Sequence, residues 1–133
     1  MSTSTVVVPA YSVILTVNNE TPDQLVIASP VGCENGAFLQ NPEGIAAGQA
    51  SAWVAIGDSG TGINGVVAVE LFDMSGSPVD IIFFNFQAVP GSPNSATASA
   101  DKGQVAVTQT AVPAEGSQWA VTFTISQVAS KAA

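Results

Sequence analysis

The residues with the clearest potential for chemistry lie in one glycine-rich stretch, residues 57–65. Its first four residues, Gly57-Asp58-Ser59-Gly60, match the string around the nucleophile of chymotrypsin-like proteases. A serine nucleophile of that type needs a histidine to take its proton, and the chain contains no histidine. We therefore interpret Ser59 as a loop residue and expect no catalytic site.

The second half of the stretch, Gly60-Thr-Gly62-Ile-Asn-Gly65, fits the dinucleotide-binding pattern G-x-G-x-x-G. That pattern works where it follows a strand and opens a helix, because the helix N-terminus holds the pyrophosphate. The next residues are Val66-Val-Ala-Val69, which favour a strand. The stretch is therefore typical of a glycine-rich hairpin loop, and we expect no cofactor.

The charge balance narrows the choice of partners. The chain has ten acidic residues and only two basic ones, both lysines, so its net charge is −8. Only 9 % of the 133 residues are charged. Nucleic acid is excluded as a partner, because binding to its backbone needs clustered Lys or Arg. The acids are scattered without the spacing of a calcium-binding loop, so no metal site is predicted, although a calcium site assembled from several loops stays open.

Cys33 is the single cysteine, so the chain can form no internal disulfide. We interpret it as a small buried hydrophobic residue, because no neighbouring cation lowers its thiol pKa. Residues 1–10 lack the basic and apolar regions of a signal peptide. We therefore expect synthesis as a soluble cytoplasmic protein.

Along the whole chain, short β-branched and aromatic runs alternate with clusters of Gly, Pro and Asn. This pattern is typical of an all-β sandwich. The predicted strands lie at 12–18, 25–28, 37–40, 50–56, 65–73, 79–85, 104–110 and 118–126. The remainder of 29–48 and the stretch 89–100 are predicted to be loops.

We expect one antiparallel β-sandwich domain over residues 1–133, with frayed ends at 1–10 and 128–133. The last predicted strand alternates most clearly: Trp119 and the apolar residues at every second position after it face inward, and Ala, Thr and Ser face outward.

Two neighbouring strands, on either side of the turn at 74–78, carry apolar residues on nearly both faces. A second apolar face exceeds what one sandwich interior can bury, so we expect it to meet a membrane, a partner or another copy of the chain. The candidate residues of this surface are Trp53, Ile82, Phe84 and Phe86. We also expect partial self-association as a homo-oligomer.

Four motifs, in order along the chain, resemble the aegerolysins, and more closely the small aegerolysin-like component of bacterial binary insecticidal proteins. They are the turn Val17-Asn-Asn-Glu-Thr21, the glycine-rich turn at 57–67, the run Ile82-Phe-Phe-Asn-Phe86 followed by Pro90-Gly-Ser-Pro-Asn94, and the closing strand that ends Val121-Thr-Phe-Thr-Ile125. Their shared order in a chain of matching length supports the resemblance.

The resemblance implies an antiparallel β-sandwich without enzyme activity, which binds a lipid or receptor on the target-cell membrane and recruits a larger pore-forming partner. It implies a bacterial toxin component that is released from the cell in which it is made. Membrane anchoring normally uses Trp, Tyr, Lys and Arg, which are few here, so we favour the two-protein toxin over an autonomous lipid-binding protein.

Two alternatives remain open from composition alone. Low charge and many Ser, Thr, Ala and Gly residues suit a self-assembling structural or adhesive β-sandwich equally well. A glycan-binding lectin is the weaker alternative, because only Trp53 offers a plausible stacking platform for a sugar.

The missing histidine leads to a first prediction, that the isolated protein turns over no substrate of hydrolases or transferases. A broad substrate panel, measured before and after repurification, checks it. Reproducible turnover that is abolished by Ser59→Ala would contradict our interpretation of the Gly57–Gly60 string.

Overall fold

The computed structural model describes residues 10–128, and within that range every regular element is a β-strand. The strands are β1 (Tyr11–Asn19), β2 (Gln24–Asn35), β3 (Ala37–Gln40), β4 (Ala50–Gly57), β5 (Ile63–Phe72), β6 (Pro78–Ala88), β7 (Ser95–Ala100), β8 (Val105–Gln109) and β9 (Gln118–Gln127). The predicted all-β class is confirmed. The described part of the chain contains no helix long and apolar enough to cross a membrane.

The strands form two sheets that pack face to face. One has five strands in the order β3-β4-β1-β9-β8, and the other has four in the order β2-β5-β6-β7. All neighbours pair antiparallel except β1 and β9, which run parallel from Ser12 opposite Gln118 to Asn19 opposite Ile125. The sandwich is therefore mostly antiparallel, with its first and last strands side by side in the centre of one sheet.

The core lies between the sheets and is centred on three aromatic rings. Phe84 of β6 meets Trp53 of β4 at a centroid distance of 5.8 Å and Phe123 of β9 at 4.9 Å, both edge to face. All three side chains are fully buried. Such ring pairs contribute about 0.5 to 1.5 kcal/mol each beyond the burial of their area, and these two pairs connect opposite sheets.

The inward register of β9 is as predicted, with Trp119 and the three apolar residues at alternate positions after it buried. Their outward neighbours are Ala, Thr and Ser. Periodicity of two residues was sufficient here because one face of the strand is apolar and the other is polar.

The loop predicted over 29–48 is wrong in its first part, because β2 continues to Asn35. Between the pairs Ile27–Val69 and Val31–Val67, β2 advances four residues while β5 advances two. Pro30 lies inside this bulge, where it need not donate a hydrogen bond to the neighbouring strand. The strand therefore includes a segment whose content of Pro and Gly is typical of a loop.

The loop predicted over 89–100 is also wrong in part, because Ser95–Ala100 forms the edge strand β7. Its alanines face inward and lie opposite the bulky residues of β6: Ala96 pairs with Phe86 and Ala98 with Phe84. Small side chains leave room for the large rings of the neighbouring strand. In the sequence, the only indication of this strand is the alternation of Ala with Ser and Thr, and Ala and Ser do not favour strands.

The terminal segments predicted to fray, 1–10 and 128–133, lie almost wholly outside the described residues.

The turn after β1 depends on one buried side chain. Asn19 is 1 % exposed, and its Nδ2 donates to the carbonyl oxygens of Asp23 at 2.8 Å and Ile45 at 3.1 Å. Its Oδ1 accepts from the backbone N–H of Thr21 at 3.1 Å and from the Thr21 hydroxyl at 2.6 Å. Asn19 therefore joins the β1–β2 turn to the segment before β4, and the Val17–Thr21 motif has a structural role.

We predict that Asn19→Ala lowers the free energy of unfolding by about 3 kcal/mol, because each buried group left without its hydrogen bond costs about 1 to 3 kcal/mol. Urea denaturation measures the change. The control is Asn18→Ala, since Asn18 points outward and donates one long bond of 3.4 Å to Thr124. Equal effects of the two substitutions would contradict the role given to Asn19.

Candidate functional site

An open cleft of about 550 Å³ lies at the end of the sandwich where β1 begins. Three segments line it: the first residue of β1, the loop that follows β6 and the loop that precedes β9. The lining residues are Tyr11, Val89, Gly91, Ser92, Pro93, Asn94, Ala114, Glu115, Gly116 and Ser117. The cleft is thus built mainly from loops on a rigid scaffold, a common location for binding sites.

Asn94 fixes the shape of the cleft. Its Nδ2 donates to the carbonyl oxygens of Pro113 at 3.0 Å and Gly116 at 2.9 Å. Its backbone N–H donates to the carbonyl oxygen of Ala114 at 2.9 Å. One asparagine therefore holds the two loops together, and the loop before β9 cannot move away without breaking three hydrogen bonds.

The lining has a restricted chemistry. Among the residues that the structure describes, Glu115 is the one acidic residue of the wall, it is exposed, and the wall contains no Lys or Arg. Tyr11 adds a half-buried aromatic ring. A carboxylate and an aromatic face both attract a cationic group. The cleft therefore suits an uncharged polar or ammonium-bearing ligand and offers an anion no opposite charge.

The glycine-rich stretch lies beside this cleft, where Gly62 approaches Val89, and it contains a tight turn at residues 58–62. Asp58 Oδ1 accepts hydrogen bonds from the backbone N–H groups of Gly60 at 2.9 Å and Thr61 at 2.8 Å, and from the Thr61 hydroxyl at 3.0 Å. These bonds, those from Thr61 first, lower the pKa of the Asp58 carboxyl below its ordinary value of 3.8. Ser59 is exposed in this turn. The Asp58 carboxylate stabilises the turn by accepting hydrogen bonds from its backbone N–H groups.

Close packing explains two glycines of the stretch, Gly62 and Gly65. Gly62 has φ +69°, and a Cβ there would collide with the carbonyl oxygen of Ala88, next to the cleft wall. A Cβ on Gly65 would strike the ring of Phe86. The predicted loop is confirmed, and a strand follows it instead of a helix. The hairpin is wrong, because β4 and β5 belong to different sheets and the loop crosses between them.

The predicted surface of Trp53, Ile82, Phe84 and Phe86 is wrong, because all four side chains are at most 2 % exposed. Both faces of β6 are apolar, so composition alone could not show which face turns inward. The neighbouring positions, among them Phe83, face outward. Burial of Trp53 also removes the stacking platform that a lectin would use.

Two further groups among residues 10–128 could take part in chemistry, the Asp80 carboxylate and the Cys33 thiol, and neither lies in the cleft. The fully buried Asp80 carboxylate accepts backbone N–H bonds from Ile81 at 2.8 Å, Lys102 at 2.7 Å and Gln104 at 2.8 Å, which fixes the loop after β7. Burial raises the pKa of the half-buried Cys33 thiol. No group of three or more potential metal ligands occurs in this part of the chain.

No protein-family model and no curated protein matches the sequence. Solved structures do match. The structure of RahU, an aegerolysin-family protein crystallised in complex with Tris, covers 93 % of this chain and 100 % of its own at a TM-score of 0.71 and 13 % identity. IP-1A from Alcaligenes faecalis covers 89 % and 91 % at a TM-score of 0.65 and 13 % identity.

The lipid binding protein Nakanori is a third match. It covers 89 % of this chain and 72 % of its own at a TM-score of 0.67 and 12 % identity. Identities this low establish the architecture alone. The chain therefore has an aegerolysin-like β-sandwich fold, as the four motifs predicted.

The Asp58 turn gives a prediction of pH dependence. Because its pKa is lowered in the folded state, the carboxylate stabilises the turn above the ordinary value of 3.8. That stabilisation is lost as the pH falls through the lower pKa of the folded state. Carbon-13 NMR titration should show the Asp58 carboxyl protonating below 3.8, with the Gly60 and Thr61 amide shifts changing together with it. In Asp58→Asn those amide shifts should not titrate, and titration at or above 3.8 in the unaltered protein would contradict the hydrogen bonding.

Proposed function

We propose that this protein is a non-enzymatic membrane-lipid binder. Its cleft binds the ammonium group of a zwitterionic lipid headgroup, which has no net charge. The observation that carries the proposal is the cleft itself, which combines Tyr11 and Glu115 in a wall whose described residues include no Lys or Arg. A match of the fold to Nakanori, described as a lipid binding protein, supports it.

The charge of the chain supports a zwitterionic over an anionic lipid. A net charge of −8 repels an anionic membrane surface, since each charge near such a surface contributes about 1 kcal/mol. A neutral surface imposes no such penalty. The headgroup must then be recognised by shape and by local contacts, which is the role of a preformed cleft.

The absence of an enzyme activity is part of the proposal. The chain has no histidine, so it lacks the usual general base near neutral pH. The one string that resembles a catalytic motif is accounted for by the Asp58 turn and by glycine packing against the strand after it.

We further propose that this chain is the binding component of a two-protein pore-forming toxin with an insecticidal role, in which a larger partner permeabilises the membrane. Trp53 and Trp119 are buried in the core, so Tyr11 is the aromatic residue left at the cleft to anchor at a membrane interface. So few anchors favour surface binding over insertion. A self-assembling structural protein is the alternative that a failure of both membrane assays would favour.

The headgroup proposal predicts binding to vesicles of phosphatidylcholine or phosphatidylethanolamine, measured by co-sedimentation. Glu115→Gln should weaken binding by about tenfold, equivalent to about 1.4 kcal/mol, because it removes the attraction for the ammonium group. The matched control is Glu43→Gln, which removes another exposed acid, in the loop before β4 and outside the cleft. Equal binding of all three proteins would contradict the assignment of the cleft.

The two-component proposal predicts dye leakage from vesicles of target-tissue lipids only when this protein is mixed with its partner. The candidate partner is a larger protein encoded next to it. Each protein alone should leave the vesicles intact. Efficient leakage caused by this protein alone would overturn the two-component proposal without affecting the binding result.

A further inference from the structure

The two outward faces of the sandwich have different chemistry. On the five-stranded sheet the outward positions of β9 are Ala120, Thr122, Thr124 and Ser126, and Thr16 and Thr108 continue this hydroxyl-rich surface onto β1 and β8. On the four-stranded sheet the outward positions of the central strands are mainly aliphatic and aromatic. The first face also carries apolar side chains, with Ile14 of β1 41 % exposed, but the second face has more large apolar residues on its central strands.

The apolar outer face consists of Val26 on β2, Val66 and Phe72 on β5, and Ile81 and Phe83 on β6. None of these five side chains belongs to the core cluster. Val26 is 42 % exposed and the other four are half-buried. Ala68, which lies opposite Phe83 and also outside the core cluster, is 0 % exposed, so the outward side chains shield one another.

One carboxylate stands in the middle of this face. Glu70 pairs across the ladders with Val26 on one side and Ile81 on the other. It is half-buried, and no residue among 10–128 forms a hydrogen bond or ion pair with its side chain. Lys102 is the one basic residue in this part of the chain. The face therefore has an acid flanked by apolar residues, and residues 10–128 place no counter-charge in contact with it.

We propose that the apolar outer face is a docking surface for a protein partner that places an Arg or Lys opposite Glu70 and apolar side chains against Val26, Ile81 and Phe83. Charge complementarity selects this occupant. Covering Glu70 without a cation would leave a desolvated charge, which costs several kcal/mol, whereas a guanidinium or ammonium group satisfies it. The hydroxyl-rich face of the other sheet has no equivalent centre.

The same charge argues against two other occupants. A second copy docked through this face about a twofold axis would bring Glu70 towards its own equivalent, and each copy carries a charge of −8. The acyl region of a membrane could cover the apolar side chains but would leave the carboxylate unpaired. This docking surface is independent of lipid binding in the cleft.

The test uses a phage-displayed library of random peptides selected on the full-length protein. We expect the retained peptides to combine Arg or Lys with aromatic or aliphatic residues. Their affinity should fall by about tenfold or more for Glu70→Gln and for Phe83→Ser. Thr124→Ser, on the outward face of the other sheet, is the matched control and should bind as the unaltered protein does. Far-UV circular dichroism establishes that each variant is folded, and the nearly isosteric Glu70→Gln keeps the test decisive if Phe83→Ser fails to fold.

Several results would overturn the proposal. No retained peptide, peptides without basic residues, or binding unchanged in Glu70→Gln would each contradict it. Sedimentation that shows a dimer of the unaltered protein and a monomer of Phe83→Ser would assign the face to a second copy. Loss of vesicle binding in Phe83→Ser would assign it to the membrane. Because vesicle binding is predicted to depend on Glu115 and peptide binding on Glu70, failure of one proposal is distinguishable from failure of the other.

Discussion

The register of β6 determines which side chains form the interior of the sandwich and which form its outer face. Phe84 lies between Trp53 and Phe123 of the opposite sheet, at 5.8 and 4.9 Å, and these contacts hold the two sheets together. A strand shifted by one residue would turn its other apolar set inward and expose these rings. The position of Phe84 therefore decides at once which side chains form the core and which form the outer face.

Neighbouring features follow from this register. The ring of Phe86, two residues further along the inward face, leaves no room for a Cβ at Gly65. The alanines of β7 face the same row of large side chains, so an edge strand of small residues completes the sheet. At the other end of the inward face, Asp80 is buried and receives the backbone N–H groups of the loop after β7. The apolar contacts of Phe84 and Phe86 and the hydrogen bonds of Asp80 therefore all require the same register of β6.

Sequence reasoning predicted the fold class and most strands because those signals are local. It predicted the inward side of β9 because polar residues mark the outward side. It failed at β6, where Ile81 and Phe83 are as apolar as Ile82 and Phe84, so only the long-range contacts with β4 and β9 distinguish the faces. β6 does have a second apolar face, but this face is formed by Ile81 and Phe83, each one position before the predicted Ile82 and Phe84.

The cleft was less accessible to prediction, because its lining comes from three parts of the chain that approach only in the folded structure. The run from Pro90 to Asn94 was singled out as a motif, but the sequence did not show that Asn94 bonds to Pro113 and Gly116. The glycine-rich stretch matches protease and dinucleotide-binding strings, but the missing histidine and the strand that follows predicted a loop. In the structure it crosses between sheets, where glycines allow the close approach of backbone near the cleft.

If the cleft at the Tyr11 end recognises a zwitterionic headgroup, a bilayer that carries this headgroup should change the amide chemical shifts of the residues that line the cleft. A chain of 13.4 kDa is small enough for assigned NMR spectra. On addition of phosphatidylcholine nanodiscs, we expect the largest perturbations at Tyr11, residues 91–94 and residues 114–117. Perturbations centred instead on the turn at Asn19 or on the outer face around Glu70, or none at all, would contradict headgroup recognition by the cleft.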